Sequence, residues 1–265
     1  MWFGKIIGGI LGFMVGGWIG GLLGVLVGNF FDKGLARSLV GASPAELAQV
    51  QTVFFKTVFS VMGHLAKSDG RVSEAEIGQT EQLMTHMGLT AEHRREAIAL
   101  FKAGAEAEFD LQATLEEFQR HCQRFAGLKR MLIIYLVGVA LADGILHPQE
   151  EQLLHRVAEA VGFSPAAFRQ LLEMIKAQDQ FAGGPAAPPS GQALALAYQA
   201  LGVGAEVNDR ELKRAYRRLM SEYHPDKLIG QGMPEDMVKV ATERSQEVQA
   251  AYDLIRKHRQ AAAAA

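Results

Sequence analysis

His224, Pro225 and Asp226 follow one another directly after a segment rich in arginine and lysine. The imidazole and the carboxylate can donate and accept hydrogen bonds, so the tripeptide could contribute to binding. Side chains three and four residues apart lie on one face of a helix. This spacing predicts a positive stripe just before the tripeptide, made of Arg210, Lys213, Arg214, Arg217 and Arg218. Taken alone, such a stripe is most simply explained as the solvent-exposed face of an ordinary helix.

The segment that carries this stripe has the start, the apolar face and the end of an amphipathic helix. Asn208 is a favourable N-cap, and Glu211 stands at the third helical position, where it completes a capping box. Pro225 ends the helix, because its ring clashes with the preceding turn. The apolar residues recur with helical periodicity, and they are Leu212, Ala215, Tyr216, Leu219 and Tyr223. The sequence therefore predicts a basic helix that ends in an exposed His-Pro-Asp corner.

Two flanking segments show which family this arrangement resembles. Residues 198–203 (YQALGV) precede the basic helix, and residues 246–255 (QEVQAAYDLI) follow it. With the His-Pro-Asp tripeptide between them, they resemble the helices of a J-domain, the DnaJ-type module that activates DnaK-class chaperone ATPases. A second His-Pro pair, at residues 147–148, has neither the aspartate nor the basic helix, and we give it no such role.

The resemblance implies a partner and a role for each residue of the motif. In the family, the tripeptide and the basic helix dock on the negatively charged ATPase domain and interdomain linker of DnaK. Carried over to this chain, Asp226 would pair with a chaperone arginine. Pro225 would fix the direction of the loop, and His224 would form a hydrogen bond or pack. The five cations of the positive stripe would steer encounter with the chaperone.

The N-terminal residues 1–34 are predicted to be a single transmembrane helix. Residues 6–31 carry no charge, and as a helix they would extend about 39 Å, enough to span a hydrocarbon core of about 30 Å with tilt. Trp2 and Phe30 suit the membrane interfaces. A signal peptide is the competing interpretation, since Lys5 precedes the run. Its apolar region would normally be only about 7–15 residues long, which favours a membrane anchor in contact with lipid.

Glycine recurs at every fourth position along this anchor. Glycine is common in membrane helices, but unbroken spacing of this kind favours close helix–helix contact. The ridge includes Gly8, Gly12, Gly16, Gly20, Gly24 and Gly28. We therefore expect a homodimer through the anchor. The flanking charges are almost balanced, so the positive-inside rule alone does not set the orientation of the helix.

Residues 43–177 are predicted to be helical throughout, because no segment alternates with a period of two. They contain an internal repeat at an offset of 74 residues, in which residues 66–72 align with 140–146 and Gly88 aligns with Gly162. Each copy reads as helix, Asp-Gly turn, helix, glycine and helix. This doubled pattern resembles the TerB-type (tellurite-resistance-like) all-α domain. Within it, the apolar residues 131–139 are too few to span a membrane and are predicted to form a buried core helix.

Four carboxylates near the two Asp-Gly turns are weak candidates for a metal site, because carboxylates attract hard cations. They are Asp69, Glu76, Asp143 and Glu150. The loops do not match an EF-hand, because their third positions are arginine and isoleucine. The alternative is that each aspartate bonds local backbone and each glycine takes a positive φ, as is usual in turns. We favour that structural role, and a weak metal or ligand site stays open.

The composition and the absence of common catalytic motifs exclude several classes of function. The net charge of −2 indicates no global field that would favour nucleic acid. The single cysteine, Cys122, excludes an internal disulfide framework. No P-loop, G-x-S-x-G, H-E-x-x-H or Rossmann fingerprint occurs in the sequence, so we expect neither an enzyme nor a bound cofactor.

Residues 178–191 are rich in glycine, alanine and proline and are predicted to be a flexible linker to a J-domain at residues 192–260.

The order of anchor, TerB-like domain, linker and J-domain hairpin resembles the membrane-anchored DnaJ-like co-chaperones of Gram-negative bacteria. This resemblance implies a protein of the cell inner membrane, with the N-terminus periplasmic and the C-terminal domains cytoplasmic. It also implies recruitment of DnaK, stimulation of its ATPase, and links to envelope stress and capsule regulation. One alternative is a membrane-tethered adaptor whose TerB-like domain senses a ligand or metal, with the J-module only recruiting DnaK. Another is a metal-dependent enzyme built on the Asp-Gly carboxylates.

Overall fold

The computed structural model describes residues 43–68, 74–141, 145–181 and 191–264. The predicted anchor with its glycines lies outside these ranges, as do Asp69 and Asp143. The chain divides into two compact units, Met1–Leu47 and Ala48–Ala265, and the packing reported for this fold lies within the second. None of the described helices is both long and apolar enough to cross a membrane.

The described residues form helices and no strands, which confirms the predicted all-α class. The described residues of the central domain form seven helices: α1 (Pro44–Ala66), α2 (Glu74–Met87), α3 (Ala91–Gly104), α4 (Leu111–Cys122), α5 (Ala126–Ala140), α6 (Pro148–Ala160) and α7 (Pro165–Phe181). The C-terminal domain consists of α8 (Gly191–Ala200), α9 (Asp209–Tyr223), α10 (Pro225–Gly230), a 3₁₀ turn at Glu235–Met237 and α11 (Val238–Ala264).

Helix α5 lies at the centre of the first of these domains. Its apolar residues from Met131 to Val137 are almost fully buried, as predicted for a core helix. Tyr135 packs near Phe54 of α1, with ring centroids 6.4 Å apart. Cys122 is also buried, and this burial raises the pKa of its thiol to about 12. The cysteine is therefore a protonated core residue rather than a reactive group.

The two copies of the repeat end their second helices in the same way. Gly88 has a φ of 84° and Gly162 a φ of 92°, a backbone region that favours glycine. The predicted C-terminal glycine of α2 is therefore confirmed. A capping box is also present at the start of α1, since Ser43 N donates to Glu46 Oε2 at 2.6 Å and Glu46 N donates to Ser43 Oγ at 3.2 Å.

Two glycines let helices α1 and α3 cross at short distance. A Cβ atom on Gly104 would lie 1.8 Å from the carbonyl oxygen of Ser60. A Cβ atom on Gly63 would lie 1.9 Å from the carbonyl oxygen of Phe101. Both neighbours are backbone atoms, which cannot rotate away as a side chain could. The crossing therefore requires glycine at both positions.

We expect Gly104→Ala to lower the free energy of unfolding by about 1–3 kcal/mol, the usual cost of overpacking. Gly138 in α5 provides the control, because nothing lies within 4 Å of a Cβ atom built there. Alanine is favoured over glycine in a helix by up to about 1 kcal/mol, so Gly138→Ala should stabilise the protein. Urea unfolding of residues 43–265, followed by circular dichroism, measures both changes. Equal effects of the two substitutions would argue against a close α1–α3 crossing.

The predicted linker at residues 178–191 is shorter than expected. Helix α7 continues to Phe181, and α8 begins at Gly191. The reason lies in Gln178, which is fully buried and whose Nε2 donates to the carbonyl oxygen of Ala200 at 3.0 Å. This side chain ties the end of α7 to the end of α8. Residues 182–190 lie outside the described part of the chain.

The C-terminal domain is a helical hairpin of α9 and α11 with α8 packed beside it. Arg259, near the end of α11, holds the three helices together at their common end. Its guanidinium donates to the Tyr198 hydroxyl at 3.0 Å, to Asp209 Oδ1 at 2.6 Å and to the carbonyl oxygen of Val207 at 2.6 Å. The hairpin is thus fixed by one cation at the end opposite to the His-Pro-Asp corner.

Candidate functional site

Helix α9 has the capping and the buried face that its sequence predicts. Asn208 N donates to Glu211 Oε2 at 3.1 Å, and Glu211 N donates to Asn208 Oδ1 at 3.0 Å. These reciprocal bonds form the predicted capping box. Four of the five predicted apolar residues are buried, namely Leu212, Ala215, Leu219 and Tyr223. The fifth, Tyr216, is half-buried and stacks on Tyr252 of α11 with ring centroids 4.2 Å apart.

The opposite face of α9 carries the positive stripe. All five of its cations are exposed: Arg210, Lys213, Arg214, Arg217 and Arg218. None of them forms an ion pair with any residue in the described ranges. Their charges are therefore not neutralised within the described structure and remain available to a partner of opposite charge.

The His-Pro-Asp corner is a junction between two helices rather than the loop that the resemblance suggested. His224 has an extended backbone (φ −62°, ψ 121°) and separates α9 from α10. Pro225 occupies the first helical position of α10, where a missing N–H costs nothing. The side chains of His224 and Asp226 are exposed, while Pro225 is half-buried and Leu228 is fully buried beneath them.

The second His-Pro pair has the same backbone arrangement. His147 has φ −72° and ψ 148°, and Pro148 is the first residue of α6. The His147 backbone N donates to Glu150 Oε2 at 3.0 Å, and the two residues form a capping box. No positive stripe and no aspartate accompany this pair in the sequence. The two junctions therefore differ in their charged side chains and not in their local backbone.

Packing of the C-terminal domain against the central domain was not predicted from the sequence. Asp236 lies at the centre of this contact. Its Oδ2 accepts from Thr90 N at 3.0 Å and lies 2.6 Å from His93 Nδ1. Beside it, His86 Nε2 and Glu243 Oε2 are 2.7 Å apart. Helices α2 and α3 are thus joined by polar contacts to the 3₁₀ turn and to α11.

A buried hydrogen bond and an ion pair extend the contact along α5. The Tyr135 hydroxyl donates to the carbonyl oxygen of Met237, and both residues are fully buried. Burial raises the pKa of Tyr135, so the hydroxyl stays a donor. Arg130 Nε lies 3.0 Å from Glu222 Oε2, near the end of α9. We call these contacts, together with those of Asp236 and Glu243, the docking interface.

One sequence signal could have indicated the docking interface. The connection between α10 and α11 contains Met233 and Met237, which are fully buried although they lie in a connecting segment. Apolar side chains in a connecting segment usually pack against another surface of the protein. The docking interface leaves the positive stripe, His224 and Asp226 exposed.

Of the four predicted metal candidates, only Glu150 has a side chain within the described residues. Asp69 and Asp143 lie outside these ranges, and so does the side chain of Glu76. Glu150 takes part in the capping contact with His147 N, and its role as a weak candidate ligand stays a prediction. No group of three or more potential metal-binding side chains occurs in the part of the chain that the structure describes.

Comparison with protein families gives three matches. Residues 1–38 match the "Co-chaperone DjlA transmembrane domain", residues 56–173 match "Tellurite resistance protein TerB", and residues 196–263 match the "DnaJ domain". These matches agree with the predicted resemblances to a membrane anchor, a TerB-type domain and a J-domain. No solved structure matches the chain.

Curated relatives resemble the chain over nearly its whole length. A co-chaperone protein DjlA of Vibrio cholerae is 41% identical, with 97% of this chain and 98% of the relative covered. A DjlA of Photobacterium profundum is 40% identical, with coverage of 98% and 99%. A DjlA of Yersinia pseudotuberculosis is 40% identical, with coverage of 97% and 98%. The similarity therefore includes the anchor, the central domain and the C-terminal domain.

Proposed function

Because the chain belongs to the DjlA family of membrane-anchored, DnaJ-like co-chaperones, we propose that it recruits a DnaK-type chaperone ATPase and stimulates its ATP hydrolysis. The observation that carries this proposal is the exposure of His224, Asp226 and the positive stripe. They stay accessible although the C-terminal domain packs against the central domain. The chaperone would therefore bind a surface that is already formed.

The proposed binding roles are those that the resemblance to the J-domain family implies for the exposed residues of helices α9 and α10. The positive stripe attracts the acidic surface of the chaperone and raises the rate of encounter. Asp226 pairs with a chaperone arginine through a charge-assisted hydrogen bond. Pro225 sets the angle between the two helices, because its ring fixes its own φ. His224, at the junction, contributes a hydrogen bond or a packing contact.

We expect the double substitution Arg217→Glu and Arg218→Glu to weaken DnaK binding by at least about tenfold, since it reverses two charges of the stripe. Arg169→Glu is the matched control, because Arg169 is an exposed arginine of α7 and lies outside the stripe. Surface plasmon resonance with immobilised DnaK measures both variants. Binding by wild type should also decline as salt is raised from 50 to about 300 mM. An equal loss of DnaK binding in the Arg169→Glu variant would show that the stripe has no specific role.

We further propose that the chain is a single-pass protein of the cell inner membrane. The N-terminus is periplasmic, and residues 43–177, the linker and the J-domain at 192–260 are cytoplasmic, where DnaK and ATP are found. This location is consistent with a role in envelope stress or capsule regulation. The anchor residues lie outside the described ranges, so support for the anchor comes from its apolar length and from the family match at residues 1–38.

We also propose that the glycine ridge of the anchor drives homodimers. Bulky side chains at a close crossing push two helices apart and remove their dispersion contact. Gly16→Leu is therefore expected to reduce association severalfold in a transmembrane reporter assay on residues 1–42. Leu22→Ala, which alters another face of the helix, should change little. Equal association of wild type and Gly16→Leu would mean that the glycines serve another purpose.

A further inference from the structure

A cavity of about 380 Å³ lies in the central domain, away from helix α9 and the docking interface. Its walls come from the end of α1, the connection between α3 and α4, and one side of α6 from Gln149 to Arg156. These segments include residues just before the first Asp-Gly turn and just after the second one. The cavity is thus formed where the two copies of the repeat meet.

Among the described residues, three basic side chains line this cavity: His64, Lys67 and Arg156. Glu106 is the acid among the lining residues that the structure describes. Lys67 and Arg156 form no ion pair within the described ranges. Burial first, and then the charges of Arg156 and Lys67, lower the pKa of His64. The charges of Arg156 and Lys67 are therefore close enough to disfavour a charge on His64, and an anion in the cavity would be attracted to these two cations.

The other lining groups indicate what kind of anion would fit. Ser68 supplies a hydroxyl, and Gln149 and Gln152 supply amides, so several neutral donors surround the cations. A guanidinium with such donors suits the tetrahedral oxygens of a phosphate group. The cavity is larger than inorganic phosphate alone, and Leu153 adds an apolar wall. The space would therefore hold a phosphate together with a small organic group.

We propose that this cavity binds a phosphate monoester, with Arg156 and Lys67 as the principal ligands of the phosphate. Such a group could come from a soluble metabolite or from the headgroup of a membrane lipid. The proposal concerns the central domain alone. It does not depend on chaperone binding, because none of the lining residues belongs to helix α9 or α10.

The test is calorimetric titration of the full chain, in micelles of an uncharged detergent, with glycerol 3-phosphate. Glycerol is the matched neutral ligand. Wild type should bind the phosphate ester saturably and glycerol not at all. Lys67→Gln combined with Arg156→Gln should weaken binding at least about tenfold, since each removes a charge-assisted hydrogen bond. Arg169→Gln should leave the affinity for glycerol 3-phosphate within about threefold of wild type. Arg156→Lys keeps the positive charge and should retain part of the wild-type affinity.

A second set of titrations distinguishes the two sources of the phosphate. The chain is placed in nanodiscs of phosphatidylcholine, with or without phosphatidate. If phosphatidate in the nanodisc prevents the binding of glycerol 3-phosphate, the lipid headgroup occupies the cavity. If glycerol 3-phosphate still binds in the presence of phosphatidate, the site takes soluble esters. Absence of saturable binding by folded wild type in both micelles and nanodiscs would overturn the proposal. Equal affinity of wild type and the double variant would do so as well. Stimulation of DnaK is measured on the same samples, so that either result can be told apart from a failure of the proposed co-chaperone function.

Discussion

With His224→Gln in place of the wild-type chain, ATP hydrolysis by DnaK is expected to stay near its basal rate. The imidazole is exposed at the junction of α9 and α10 and makes no hydrogen bond within the described residues. Its removal should therefore leave the fold intact and remove only contacts to the chaperone. A contact worth about 1.5–3 kcal/mol corresponds to a loss of roughly ten- to more than a hundredfold in the stimulated rate.

His147→Gln is the matched control for this substitution. His147 also precedes a proline at the start of a helix, with a similar extended backbone. It belongs to the central domain and has no positive stripe before it. We expect His147→Gln to stimulate DnaK as well as wild type does. If both histidine variants lost activity equally, the loss would reflect a general effect on folding, and the role given to His224 would be wrong.

The docking interface leads to the second large effect. Asp236→Ala removes the acceptor of Thr90 N and His93 Nδ1, and hydrogen bonds to a charged group are worth about 1.5–3 kcal/mol each. Tyr135→Phe leaves the buried carbonyl of Met237 without its donor, at about 1–3 kcal/mol. We expect the double variant to separate the unfolding of the two domains. Calorimetry of residues 43–265 should then show one transition for wild type and two for the variant.

Glu235→Ala is the control for the docking interface, because Glu235 is an exposed acid next to Asp236. It removes the same charge without touching the contacts to Thr90 and His93. A single transition is therefore expected to persist in this variant. Two transitions in wild type, with midpoints equal to those of the double variant, would show that the C-terminal domain is not held by these contacts in solution.

The features that the sequence predicts well are those determined by neighbouring residues. The capping box of α9 depends on Asn208 and Glu211, three positions apart, and the repeat is visible because Gly88 and Gly162 end equivalent helices. The start of α10 at Pro225 is equally local. Such features follow from backbone geometry and capping, which operate over a single turn.

The docking interface could not be predicted in this way, because it joins residues far apart in the chain. His93 and Asp236 are 143 positions apart, and Tyr135 and Met237 are 102 apart. From the sequence alone, each of these side chains has an ordinary local interpretation. Asp236, for example, could be a solvated acid, and Tyr135 could be a core tyrosine. A glycine- and proline-rich segment between the domains also favours independent motion when it is considered alone. Only the three-dimensional packing reveals that these side chains meet.

Single-turnover hydrolysis of ATP by DnaK tests the proposed function most directly. The rate of product formation is measured with increasing amounts of the chain in nanodiscs, for wild type and for Asp226→Asn. We expect wild type to accelerate hydrolysis in a saturable manner, and Asp226→Asn, whose exposed side chain contributes little to the fold, to leave the rate at its basal value. A rate that does not depend on the wild-type chain, or equal acceleration by Asp226→Asn, would contradict the proposal that this protein activates DnaK.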